Sequence, residues 1–218
     1  MDLQIVARAK NGFSDKFGIP RQSREESHIE TRIVFEKDFH HPDAIRGIEG
    51  FSHLWLIWGF NQVQPYDDLR LGRRFAVGKL TVRPPRLGGN TRMGVFATRS
   101  PYRPNHLGLS SVRLLRVEDG DLIVSGADLL DGTPIYDIKP YLSYSDAHTD
   151  AENGFAEPTK DYSLSVKLLE DLTEILRQDP RPAYQDDDRI YKLEYRNYLV
   201  EFKVVNNEVQ IEKITKLR

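Results

Sequence analysis

The chain has 218 residues, 39% of them hydrophobic and 10% aromatic, enough for one large domain, or a domain with a small appendage, around a real core. It has no cysteine, which excludes disulfides, thiolate zinc sites and cysteine nucleophiles. It contains no apolar run of about 18 residues, so no membrane span is expected. The charges within Met1–Lys10 argue against a signal peptide, and a cytoplasmic location is expected. Net charge is only −2, but its distribution is uneven: residues 69–117 carry ten Arg, one Lys and no acid, leaving 20 cations against 33 acids elsewhere. Surfaces charged merely for solubility mix both signs. This segregation implies a cationic face for a polyanion or another negatively charged ligand.

In chain order, Leu3–Val6 reads as a short strand, and Ile29–Phe35 begins with the period-two alternation of another. Phe51–Phe60 is nearly continuous in apolar residues. Its length allows strand or helix, while its aromatic and β-branched content favours a buried strand. Phe75–Val82 and Met93–Thr98 are further strands. Ser111–Val117 and Leu122–Ser125 flank Glu118-Asp119-Gly120-Asp121, a hairpin signal, and Ile135–Leu142 adds one more strand. The strands are broken by Gly and Pro turns with no strand–helix rhythm. The fold class read from them is therefore mostly β, a sheet closed into a barrel over residues 1–145. Residues 146–161 are acidic and Gly- and Pro-punctuated, and read as a linker. Residues 162–218 read as a small α+β C-terminal domain. Its helix carries Leu168, Leu169, Leu172, Ile175 and Leu176 on one face and stops near Gln178, before Pro180. Strands at Tyr191–Glu194, Leu199–Val205 and Glu208–Ile214 follow, the last two joined by an Asn206-Asn207 turn. Such an appendage is too small for much independent stability.

The chemistry-bearing motifs are few. No nucleophile elbow, phosphate-binding P-loop or G-x-G spacing occurs, which weighs against Rossmann-type cofactor binding. The six His include no metalloprotease pair, and the adjacent side chains of His40-His41 would diverge on any regular element, so no metal is expected. His53, inside an apolar run, reads as a hydrogen-bonded core residue. Three stretches remain that packing alone does not explain. They are the turn Gly18-Ile19-Pro20-Arg21-Gln22-Ser23, the basic string from Arg83 to Asn105, and Asp128-Leu129-Leu130-Asp131-Gly132-Thr133-Pro134 followed by Asp137-Ile138-Lys139-Pro140-Tyr141.

In this order these stretches resemble the TsaA/TrmO-like (YaeB-like) methyltransferases, from about Ile19 to Tyr141 and again at Asp179-Pro180-Arg181-Pro182-Ala183-Tyr184. The resemblance implies a single-sheet closed β-barrel and a homodimer. It implies S-adenosylmethionine as cofactor and N6-methylation of threonylcarbamoyladenosine at position 37, in the tRNA anticodon loop. Carried over position by position, the cofactor-binding residues are Pro20, Arg21, Gln22, Asn61, Gln62, Arg99, Leu109, Ser125, Gly126, Ala127 and Asp128. Asn61 departs from the His-Gln pair that family members often have there. His106 stands where Pro is common and receives no chemistry.

Methyl transfer from a sulfonium needs positioning and the removal of one proton. Asp128 is the candidate catalytic proton acceptor, with Asp131 and Asp137 behind it; a carboxylate there equally suits the cofactor's ribose or amino group. For the RNA, candidates on the barrel are Arg83, Arg86, Tyr102, Arg103 and Asn105, as cations and a stacking ring. On the appendage they are Asp179, Arg181 and Tyr184. If the appendage reads RNA, its removal costs methylation more than cofactor binding. Two alternatives are a non-catalytic RNA-binding barrel, and a methyltransferase for another modified nucleotide or a small molecule.

Overall fold

The computed structural model describes residues 2–15, 18–20, 22–23, 27–61, 80–84, 91–159, 170–181 and 189–217. Six strands close a barrel: β1 (Ala7–Lys10), β2 (Glu30–Phe35), β3 (His53–Gly59), β6 (Leu107–Glu118), β7 (Asp121–Ser125) and β8 (Pro134–Pro140), in the order β1-β2-β7-β6-β3-β8. Every neighbouring pair is antiparallel, including β1 with β8. β1, β3 and β7 therefore end where β2, β6 and β8 begin. β4 (Thr81–Val82) and β5 (Met93–Gly94) form a separate two-residue ladder.

Alternation explains the closure. On β3, Leu54, Leu56 and Trp58 are buried, whereas His53, Trp55 and Ile57 are only partly so. The inward set joins Ala7, Ala9, Ile33, Val112, Leu122, Val124, Leu129 and Ile135 in one core. Truncating any of the larger of these to Ala costs about 2–5 kcal/mol. The β6–β7 hairpin turns on Asp119 (φ 54°) and Gly120 (φ 82°), the twist-matched geometry that its Asp-Gly predicts.

The remaining chain begins with the short helix α1 (Ser143–Asp146) and a 3-10 turn at Gly154–Thr159, both within or beside the predicted linker. α2 (Glu170–Arg177) follows, then the antiparallel sheet of β9 (Tyr191–Tyr195), β10 (Tyr198–Val205) and β11 (Glu208–Lys216). Its core is not self-contained. Leu172, Ile175, Leu176, Leu193, Val200 and Phe202 pack in one cluster with Phe13, Ile29 and Leu130 of the barrel chain. No helix among the described residues is long and apolar enough to cross a membrane.

Three expectations are corrected. Leu3–Val6 is not a strand; the ladder begins at Ala7, because it is Ala7–Lys10 that pairs with Arg32–Phe35. Met93–Thr98 supplies only two strand residues before a 3-10 turn at Val95–Ala97. His53 points outward, its Nδ1 2.9 Å from Ser52 Oγ and its ring against Tyr141, because the strand's inward phase is set by Leu54, Leu56 and Trp58. Of the strand expected at Phe75–Val82, residues 75–79 lie outside the described residues, as do Leu168 and Leu169 of the helix face.

Candidate active site

The barrel end where β3 finishes and β6 starts collects most of the described candidates. Trp58 near the end of β3 lies flat over Gly108 across the ladder; a Cβ on Gly108 would stand 2.3 Å from the indole Cε2, so only glycine fits. This places the indole Nε1–H 2.9 Å from Ser110 Oγ, to which it donates. The Ser110 hydroxyl, 1% exposed, donates in turn to Asp128 Oδ1. Asp128 reaches this point because β7 ends at Ser125, opposite Arg113, and Gly126 (φ 79°) redirects the chain alongside β6.

Burial pushes the Asp128 carboxyl above the usual 3.8 of an aspartic acid. The opposing influences, in order, are the Ser110 hydroxyl, Asp128's own amide, the Arg99 guanidinium and the Ser23 amide. Ser23 belongs to the Gly18–Ser23 turn and Arg99 to the basic string, so all three unexplained stretches meet at one carboxylate. Leu109, 56% exposed on the outer face of β6, offers a large apolar surface beside Ser110. Ser125 and Ala127 are buried, Pro20 is buried, and Gln22 and Asn61 are exposed. Arg21 and Gln62 lie outside the described residues.

The other two carboxylates serve local structure. Asp131 Oδ1 accepts from the Asn11 amide at 2.9 Å, and Asp137 pairs with Lys139 at 2.8 Å while capping the Ile138 amide. Ser110 and Trp58 were not among the sequence candidates. Their signal was there, a small residue opposite an indole and a hydroxyl two residues on, but it depends on cross-strand register.

The RNA candidates separate. Arg83, Tyr102 and Asn105 are exposed, Tyr102 at 66%, on the loops around β4 and β5 and before β6. Arg103 is partly buried, donating to the Thr98 carbonyl at 3.0 Å and so bracing the loop. On the appendage, Asp179 and Arg181 are turned inward: Arg181 is 5% exposed, donates to both carboxylate oxygens of Asp179 at 2.8 and 3.1 Å, and stacks over Tyr191. Their geometry fixes the turn after α2, with Asp179 at φ 45°, and offers no open guanidinium. Arg86 and Tyr184 lie outside the described residues. The charge map also needs one correction. Arg116 grips Glu30 at 2.8 and 3.0 Å and Glu118 at 3.0 Å, so this member of the basic segment is neutralised.

Among the described residues no cluster of His, Asp or Glu fits a metal. His40 faces the Asp119 carbonyl and His41 caps the Asp43 amide.

Comparison with known proteins identifies the family. Residues 8–147 match the tRNA-methyltransferase O N-terminal domain and residues 148–217 the TrmO C-terminal domain. The chain is 35% identical over 224 residues to the tRNA (adenine(37)-N6)-methyltransferase of Escherichia coli, covering 93% of this chain and 91% of that one. It is 41% identical over 198 residues to a putative S-adenosylmethionine-dependent methyltransferase, RcsF, of Pseudomonas aeruginosa, covering 83% and 81%. A crystal structure of TrmO superposes with a TM-score of 0.77 at 30% identity over 99% of both chains. With both halves of the chain matched in order and the barrel shared, this protein belongs to the tRNA-methyltransferase O family.

Proposed function

We propose that this enzyme methylates N6 of threonylcarbamoyladenosine at position 37 of tRNA, using S-adenosylmethionine. The observation that carries the reading is the convergence of the Gly18–Ser23 turn, Arg99 of the basic string and Ser110 on one buried-side carboxylate, Asp128. Relatives named for this adenine-37 methylation, or as S-adenosylmethionine-dependent, support it. The residues fit such a cofactor: Asp128 is a hydrogen-bond acceptor for its ribose or amino group, and exposed Leu109 is an apolar surface for its purine. Pro20 and the Ser23 amide shape the turn on the other side. When bound, the cofactor supplies an electrophilic methyl group.

The chain's own residues supply placement and a proton acceptor. The acceptor nitrogen lies between a purine and a carbonyl, so its N–H is more acidic than that of plain adenosine and a modest base suffices. Asp128 meets that need: burial raises the carboxyl's affinity for a proton, and the Ser110 hydroxyl and the Arg99 guanidinium oppose that rise. Exposed Arg83 and Tyr102 hold the anticodon loop by phosphate contact and base stacking. The acidic remainder of the chain disfavours RNA on other faces. The enzyme acts as a cytoplasmic homodimer; the exposed Leu80 and Phe96 are apolar surface that self-association would cover.

The test is direct. Purified protein, S-adenosylmethionine and carbamoylated tRNA are incubated and the nucleosides are examined by mass spectrometry. One added methyl on threonylcarbamoyladenosine is the expected product; no gain on that nucleoside refutes the reading.

A further inference from the structure

We infer that the C-terminal unit holds the cofactor turn in shape, with Leu193 and Glu174 as positioning residues for cofactor binding rather than parts of an RNA reader. The inference rests on the proposed role of Gly18–Ser23 in binding S-adenosylmethionine. Five contacts carry it. Gly18, at φ 101°, sits so close to β9 that a Cβ there would fall 1.9 Å from Leu193 Cδ1. The next residue, Ile19, packs against the same C-terminal core, in which Leu193 is fully buried. Behind the turn, the His28 amide donates to Glu174 Oε2 of α2 at 3.0 Å, and the other oxygen of that carboxylate is buried. In front of it, the Arg196 amide donates to the Gly12 carbonyl at 2.8 Å, and Phe13 packs on Tyr195 with ring centroids 5.3 Å apart.

The chain on both sides of the turn is thus fastened to α2, β9 and the β9–β10 corner. The opposite wall of the site is fastened too: Leu130, two residues after Asp128, enters the same core, and the Asp131 amide donates to the Phe13 carbonyl at 2.9 Å. The described residues of the turn, Gly18–Pro20 and Gln22–Ser23, belong to no strand or helix, so these contacts are what hold their shape. The Ser23 amide that faces Asp128 is held by them at one remove. Losing them frees the turn, and the cofactor must then order it on binding, which weakens affinity without touching the RNA-facing loops.

The experiment uses full-length wild type, Leu193→Ala, Glu174→Ala and Glu174→Gln. Binding of S-adenosylmethionine is measured by calorimetry and binding of an anticodon stem–loop by filter retention without cofactor, at a temperature where circular dichroism shows each variant folded. Leu193→Ala and Glu174→Ala are expected to weaken cofactor binding at least about fivefold, the worth of one ordinary hydrogen bond. RNA binding should hold steady, and Gln at 174, which keeps an acceptor for the His28 amide, should recover most of the loss. Folded variants that bind cofactor within twofold of wild type overturn the inference, as does a loss confined to RNA binding. If Leu193→Ala does not fold, the Glu174 pair decides alone. Wild type that fails to bind the cofactor at all overturns the underlying reading, and this inference with it.

Discussion

Ser110→Ala isolates the part of the site that the barrel register creates. Ser110 is buried, accepts from the Trp58 indole and donates to Asp128. Removing Oγ leaves the indole N–H without its partner, at about 1–3 kcal/mol. It also removes the strongest influence opposing the burial of the Asp128 carboxylate. A hydrogen bond to a charged group is worth about 1.5–3 kcal/mol, so losing it should raise the carboxyl's affinity for a proton further. With the ionised form as the proposed proton acceptor, the acid limb of kcat/KM should move to higher pH, with the alkaline side little changed. The assay is methyl transfer to carbamoylated tRNA across a pH series, with thermal denaturation alongside. A stability loss of about 2 kcal/mol would lower Tm by roughly 4–8 °C in a chain of this size. An acid limb that stays in place, on a variant shown to be folded, refutes the role given to the Ser110–Asp128 pair.

Asp128→Asn should abolish that acid limb and reduce turnover, while unchanged turnover would remove Asp128 from proton transfer. The same variant has a stability signature. The folded carboxyl is raised above 3.8, so the cost of ionising it is absent below that value and fully present above the raised one. Wild type therefore loses stability relative to Asp128→Asn as pH climbs through that window, measurable by denaturant titration at two pH values. Gly108→Ala drives a methyl into the Trp58 ring and should cost about 1–3 kcal/mol, seen as a lower denaturation midpoint, and the displaced indole should loosen Ser110. Arg83→Ala should weaken anticodon stem–loop binding and reduce the slope of log affinity against log salt by about 0.7, the single-strand increment per phosphate, whereas an unchanged slope would place Arg83 off the RNA. Arg181→Ala removes a buried partner of Asp179, so its main effect should be a lower Tm, with RNA affinity in the folded variant little changed.

The hairpin at Asp119-Gly120 and the Asn206-Asn207 turn were legible in the sequence, because turn chemistry is a local property; the inward phase of Leu54, Leu56 and Trp58 was not, because the run around them is apolar on both faces. The three stretches that converge on Asp128 were legible too, as residues too costly or too charged to be explained by packing. Other features required the folded chain. The sequence order does not say that Trp58 faces Gly108, since cross-strand register emerges only when the barrel closes. Arg116 looked like part of a free cationic face until pairing brought Glu30 across from it, and Arg181 looked presented to solvent until its carboxylate partner and Tyr191 enclosed it. The C-terminal unit read as an appendage because its own helix and strands supply most of a core, and only the tertiary structure could reveal that Phe13, Ile29 and Leu130 complete it. The sequence by itself determined most of the strands, the tight turns and the chemistry of the side chains. Which carboxylate is buried, which arginine is free and which segment braces the site depend on contacts between residues far apart in the chain, and these were settled by the fold.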